Sequence, residues 1–221
     1  MGIGSNLRSL LDSIPANVRV VAVSKMRSIG EMMEAYEAGQ RAFGENKAKE
    51  IVSKQSLMPA DTEWHFIGHL QTNKVKYIAP FVSLIHSIDS LRLLEEVNKE
   101  ALRNQRTIDC LLQFHIATEE SKFGLDPEEA IGILESERFR MLSNVRITGV
   151  MGMATFSDSE PLVRGEFAAL KRHFDYLKSH YFADHPYFRE ISMGMSGDYR
   201  IAIEEGSTII RVGTVIFSNE A

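Results

Sequence analysis

Cysteine is almost missing: Cys110 is the single one in 221 residues. A lone cysteine makes no internal disulfide, which suits a reducing cytoplasm. It stands in Ile108-Asp109-Cys110-Leu111-Leu112, where apolar neighbours favour a buried, inert thiol over a nucleophile. Long apolar runs are missing too. No stretch reaches the length of a membrane span, and residues 1–11 lack the basic start and apolar core of a secretory signal. Positive charge is in deficit. A formal net charge of -5 argues against nonspecific nucleic-acid binding as the main task. No internal repeat, low-complexity segment or Gly/Ser linker divides the chain, so residues 1–221 read as one soluble, cytoplasmic domain. With 44% hydrophobic and 25% charged residues, the chain can fill a sizeable core.

What is present is a strict alternation. A helix over 5–13 carries Leu7, Leu10 and Leu11 on one face. The β-branched run Val18-Arg19-Val20-Val21-Ala22-Val23-Ser24-Lys25 then reads as a buried strand. Further strands are predicted at 42–46, 63–68, 82–87, 107–116, 145–153, 188–195 and 207–217. Between them lie helices. Ser28 and Glu31 have capping-box spacing, and Gly39 ends the helix they start. Ser90 is an N-cap before the stripe Leu91, Leu94, Val97, Ala101, Leu102. Pro127 opens the next helix. Phe167, Leu170, Phe174, Leu177 and Tyr181 step by three and four. Eight strands alternating with helices predict a closed, parallel (β/α)8 barrel of the TIM type with an additional N-terminal helix. A doubly wound open sheet is the alternative, but no Gly-x-Gly-x-x-Gly follows any predicted strand.

Active sites of such barrels lie at the C-terminal strand ends. Unusual polar residues fall there: Lys25, Glu45, Asn46, His69, Ser87, His115, Ser196 and Arg211. Lys25 is the most telling. Burial lowers the pKa of a lysine, and a neutral amine condenses with a carbonyl, so Lys25 is a candidate for a Schiff base. A strand-end lysine that snorkels to water is the structural alternative. Two late segments suit an anion. Met193-Gly194-Met195-Ser196-Gly197-Asp198 leads from strand seven into a short helix, and Arg211-Val212-Gly213-Thr214 lies in strand eight. Glycines let backbone N–H groups approach a ligand, and Ser196 and Thr214 add hydroxyls. Either segment could be an ordinary glycine turn, but loops after strands seven and eight form the usual phosphate site of these barrels. A lysine plus a phosphate cradle suggests pyridoxal 5′-phosphate (PLP).

Longer motifs carry a resemblance. They include Ala22-Val23-Ser24-Lys25, Phe43-Gly44-Glu45-Asn46, Trp64-His65-Phe66-Ile67-Gly68-His69-Leu70-Gln71-Thr72-Asn73-Lys74 and Ile85-His86-Ser87-Ile88-Asp89-Ser90. Later come Glu120-Ser121-Lys122-Phe123-Gly124, Gly149-Val150-Met151-Gly152-Met153, Ser192-Met193-Gly194-Met195-Ser196-Gly197-Asp198 and the run from Gly206 to Phe217. The chain resembles the YggS/PROSC family of pyridoxal phosphate homeostasis proteins, which have the fold of the alanine racemase N-terminal domain. The resemblance implies a fold-type III PLP-binding barrel with Lys25 joined to the cofactor. It implies phosphate contacts from Ser196, Gly197, Gly213 and Thr214, Asn46 near the ring substituents, Met153 lining the pocket and Arg211 facing the pyridine nitrogen. The chain departs from the family pattern at Met26-Arg27-Ser28, where Thr and then Pro are common, and at Phe217-Ser218-Asn219-Glu220-Ala221.

The racemases that share this barrel add a C-terminal β domain carrying a catalytic tyrosine. The present sequence ends soon after strand eight, so that domain is expected to be absent. Racemisation needs a second acid/base across the cofactor, and Tyr199 is the nearest tyrosine in sequence. The expectation is therefore a monomeric, non-catalytic protein of vitamin B6 and amino-acid balance that holds PLP and transfers it to apo-enzymes. A weak PLP-dependent amino-acid racemase is the alternative. A class I Schiff-base aldolase would more often carry its lysine on a late strand, and 145–153 has none. A metal hydrolase built on His65, His69, His86 and His115 lacks an accompanying carboxylate cluster, so those histidines are expected in structural hydrogen bonds. Glu119-Glu120 and Glu204-Glu205 read as solvated faces.

Overall fold

The computed structural model describes residues 2–118 and 123–218. Glu119-Glu120, the Ser121-Lys122 part of one motif and the tail at 219–221 lie outside the described residues.

Eight strands close into a parallel barrel in sequence order. They are β1 (Arg19–Val23), β2 (Ala42–Glu45), β3 (Glu63–Phe66), β4 (Leu84–Ile88), β5 (Ile108–Phe114), β6 (Val145–Gly152), β7 (Glu190–Ser192) and β8 (Ile209–Val212). Closure joins β1 to β8, with Arg19 opposite Ile209 and Ala22 opposite Val212. Around them run α1 (Ile3–Asp12), α2 (Ile29–Glu37), α3 (Ala48–Gln55), α4 (Val75–Ile78), α5 (Leu91–Arg103), α6 (Pro127–Glu135), α7 (Glu137–Arg140), α8 (Glu160–His180), α9 (Tyr199–Glu204) and α10 (Thr214–Phe217). No helix among the described residues is long and apolar enough to cross a membrane.

Strand alternation sorts the core into two apolar clusters. Val20, Ala22, Trp64, Phe66, Ile85, Ile210 and Val212 belong to the cluster under the helices. Val21, Ala42, Leu84, Leu111, Met151 and Ile209 form a smaller one. Alternation places this second set inside the barrel. The same parity carries His65, His86, Ser192 and Arg211 into the interior, where all four are buried.

The helix signals act as their chemistry requires. Ser28 and Glu31 form a reciprocal capping box on α2. The Ser90 side chain accepts from the Leu93 N–H at the start of α5. Pro127 opens α6 behind an Asp126–Glu129 capping box. Two expectations need correction. The eighth strand was expected over 207–217 but ends at Val212. Gly213 leaves extended conformation at ψ -66 and Thr214–Phe217 wind a helical turn. This overrides the β-propensity of Thr-Val-Ile-Phe, because the turn buries Ile216 and Phe217. The seventh strand is only Glu190–Ser192. Helix α7, capped by the Ser136 side chain, was not foreseen.

Candidate functional site

A cavity of about 560 Å³ opens at the C-terminal ends of the strands. Its lining brings together Lys25, Asn46, Met153, Ser196, Gly197, Arg211, Gly213 and Thr214. These are the eight residues anticipated from the sequence, delivered by the ends of β1, β2, β6, β7 and β8. Glu45, His69, Ser87 and His115 are not among the lining residues.

Lys25 sits just beyond β1 and is exposed. Burial therefore does not strip its ammonium of water, contrary to expectation. What the fold supplies is a fixed base beneath it. Ser24 is fully buried; its N–H donates to the Gly44 carbonyl at 3.0 Å and its hydroxyl to Glu45 Oε1 at 2.7 Å. Lys54 of α3 donates from Nζ to the Ser24 carbonyl at 2.7 Å, to Glu45 Oε1 at 2.8 Å and to Glu50 Oε1 at 2.8 Å. Glu50 also accepts the Met26 N–H at 2.6 Å. Met26 adopts the left-handed conformation at φ 62. Glu45 and Lys54 thus hold Ser24, and Glu50 holds Met26, on either side of Lys25. Burial pushes the Glu45 carboxyl above its usual range, opposed by its bonds to Lys54 and Ser24.

The end of the cavity read from the sequence as an anion cradle is a pair of turns after β7 and β8. Ser196 Oγ accepts the Gly213 N–H at 3.2 Å, which ties the two turns together. Met195 N–H donates to Asp198 Oδ1 at 2.5 Å and fixes the first turn. The backbone N–H groups of Ser196, Gly197 and Thr214 have no acceptor among the described residues, and a side chain built at Gly197 would meet nothing within 4 Å. On the opposite wall the Asn46 Oδ1 is buried without a hydrogen-bond partner among the described residues.

Arg211 enters from inside the barrel. It is 4% exposed. Nη1 donates to Ser192 Oγ at 2.6 Å and Nη2 to the Gly152 carbonyl at 3.1 Å. Burial lowers its pKa to about 10, opposed by the charge of Asp198, so it remains a cation at neutral pH.

Sequence reasoning missed the outer rim. Thr155, Phe156, Ser157 and Asp158, after β6, also line the cavity. Buried Glu166 of α8 holds this rim, accepting from the Thr155 N–H at 2.6 Å and the Thr118 N–H at 2.9 Å. A buried glutamate inside an amphipathic helix was the available signal. A second cavity of about 630 Å³ shares Asn46 and includes His69.

The histidines make structural contacts. His65 Nδ1 lies 2.9 Å from His86 Nε2, and His86 Nδ1 lies 2.8 Å from Ser192 Oγ. His69 meets Asp89 at 3.3 Å and stacks on Phe123. Tyr199 is buried beside the core, and its hydroxyl accepts from Arg200 Nε at 3.3 Å. It is not among the cavity-lining residues. Glu204 is exposed, as expected, while Glu205 is half-buried, and both pair with Arg164.

Comparison with known proteins gives the arrangement a context. The alanine racemase N-terminal domain family matches residues 2–220. The pyridoxal phosphate homeostasis protein of Aquifex aeolicus is 38% identical over 200 residues, covering 90% of this chain and 86% of that protein. The Vibrio alginolyticus protein of the same name is 36% identical over 209 residues, covering 92% and 87%. PipY of Synechococcus elongatus, solved with PLP bound, is 34% identical with a TM-score of 0.87 over 98% of this chain and 100% of that one. Alanine racemase from Bartonella henselae shares the fold, with a TM-score of 0.73 at 16% identity, over 99% of this chain and 63% of its own. The chain belongs to the pyridoxal phosphate homeostasis proteins, within the alanine racemase N-terminal domain family.

Proposed function

We propose that this protein binds pyridoxal 5′-phosphate in the strand-end cavity, keeps it by reaction with Lys25, and releases it to apo-enzymes rather than turning over a substrate. The observation that carries the reading is one cavity with an amine at one end and three unpaired backbone donors with two hydroxyls at the other. That donor set matches the two ends of the cofactor, an aldehyde and a phosphate dianion. Asn46 Oδ1, a buried acceptor with no partner among the described residues, fits a donor group on the ring. When bound, PLP supplies an aldehyde that condenses with a primary amine and a ring that withdraws electrons.

The protein's own groups favour holding over chemistry. In this reading Arg211, a cation at neutral pH that lines the cavity, faces the pyridine nitrogen and disfavours a proton there. An unprotonated ring withdraws electrons weakly, which suits a carrier. Among the described residues the titratable groups lining the cavity are Lys25, Asp158, Asp198 and Arg211, with no tyrosine. A monomer in the cytoplasm completes the reading.

The test is an absorption spectrum of protein mixed with PLP, before and after borohydride, with mass analysis of the modified peptide. A visible band that reduction fixes on Lys25, and that Lys25→Ala lacks, is expected. A protein that stays colourless overturns the reading. Sustained amino-acid racemisation by the same sample would replace the carrier with an enzyme. Recovery of activity by an added apo-PLP enzyme tests transfer.

A further inference from the structure

Four buried side chains form a hydrogen-bonded line through the barrel: Arg211 on β8, Ser192 on β7, His86 on β4 and His65 on β3. Their separations are 2.6, 2.8 and 2.9 Å. The line begins at Arg211 in the strand-end cavity. It ends at His65, which lines a separate cavity of about 580 Å³ with Arg19, Glu63, Asp109 and Arg146. Arg19, Glu63 and Arg146 lie in the first two residues of β1, β3 and β6, so this second cavity is the N-terminal mouth.

We propose that Ser192 and His86 are positioning residues for Arg211, and that the line is a one-way chain in which every hydrogen bond points from Arg211 towards His65. The proposal rests on the reading of Arg211 as a cofactor contact.

The direction follows from what each group can do. A guanidinium only donates, so Ser192 Oγ accepts from Arg211. The hydroxyl has one proton to give, and His86 Nδ1 is its remaining partner. His86 then carries its own proton on Nε2 and gives that bond to His65 Nδ1. His65 in turn carries its proton on Nε2, the atom that has no partner among the described residues. In the opposite direction the Ser192 hydroxyl proton is left without an acceptor and His65 Nε2 becomes an unpaired acceptor, two unpaired groups against one. One additional unpaired buried group biases the two arrangements by roughly 10- to 100-fold. Burial holds both imidazoles neutral, with the charges of Arg211 and Arg19 acting the same way on His86. Neutral rings are what a one-way chain requires.

The consequence is a guanidinium fixed at two points. Ser192 and the Gly152 carbonyl occupy one hydrogen on each terminal nitrogen, which sets the guanidinium plane before any cofactor arrives. Ser192 alone is a weak anchor because a free hydroxyl rotates. His86 locks the rotor, and His65 locks the His86 tautomer.

Long-range ¹H–¹⁵N spectra of histidine-labelled, PLP-free protein at pH 7 test the direction, with His86→Gln used for assignment. Both rings should carry a proton on Nε2 alone. A His86 ring protonated on Nδ1 overturns the proposal, whether or not any variant folds. The positioning role is read from PLP affinity. Ser192→Ala should weaken binding about tenfold, the loss of about one charge-assisted hydrogen bond, while Ser192→Thr, which keeps the hydroxyl, stays within about threefold. His86→Gln keeps an acceptor and a donor and should bind better than His86→Leu, which keeps neither. A folded Ser192→Ala that binds as tightly as the parent overturns the role. Failure of the parent itself to take up PLP would instead refute the cofactor reading, and the tautomer result would stand apart from it.

Discussion

Lys54 is buried in the company of two carboxylates and a carbonyl, and it governs how Lys25 is presented. Removing one partner of a buried pair leaves the other charged and unsolvated. Lys54→Met is expected to cost about 3 kcal/mol or more, read as a lower urea midpoint at unchanged slope. It should also slow PLP capture, since the Ser24 carbonyl loses its anchor. An unchanged midpoint would mean that Glu45 is protonated and that the pair contributes nothing. The histidine pair makes a second expectation. Burial lowers the His65 pKa from 6.5 to about 3 and that of His86 well below 6.5. The unfolded chain takes up protons below pH 6.5 that the folded one refuses, so stability falls as pH drops through that range. Each histidine contributes about 1.4 kcal/mol per pH unit. Urea midpoints between pH 7 and 5 should therefore decline less steeply for His86→Gln than for the parent. Lys25, Arg211 and the cradle residues were legible because strand ends concentrate chemistry. The exposure of Lys25 was not, since a hydrophobic run tells where a strand lies but not where it stops. Ser192 was legible only as part of a motif, because its partners arrive from β4 and β8.

Among the elements, β6 shows how a local irregularity serves the barrel. Its pairing with β5 skips a residue between Ile147 and Gly149, and Gly149 then stands opposite Glu190 of β7. A β-carbon at Gly149 would run into the Glu190 carbonyl. Gly149→Ala should destabilise by about 1–3 kcal/mol through overpacking and, by shifting β7, also weaken PLP binding. Calorimetry and a PLP titration on one sample check both effects. By contrast Ser28→Ala removes a surface cap and should cost about 1 kcal/mol with no loss of PLP affinity. Alternating periodicity and capping residues made most elements readable. Those that escaped were short or contextual. Thr214–Phe217 has strand-forming residues, yet it coils because Ile216 and Phe217 are needed under α1.

At the scale of the whole molecule, a ligand that binds only the closed barrel adds to its stability by mass action. PLP at 100 times its dissociation constant should contribute about 2.7 kcal/mol. For a chain of this length that is a rise in Tm of about 5–10 °C, which a thermal scan would register and which Lys25→Ala should diminish. Absence of any rise at saturating PLP would count against binding to the folded state.

The seam between β1 and β8 has an implication for biosynthesis. Asn6 Nδ2 on α1 bonds the carbonyls of Ile216 and Ser218 at 3.1 and 3.0 Å. A helix that precedes β1 is therefore fastened by residues that follow β8. Lys25 leaves the ribosome long before Ser196, Arg211, Gly213 and Thr214. A nascent chain halted ahead of β8 keeps two raw strand edges and half a binding site. Cofactor capture should begin only once Thr214–Phe217 has emerged, when both edges of the sheet can meet.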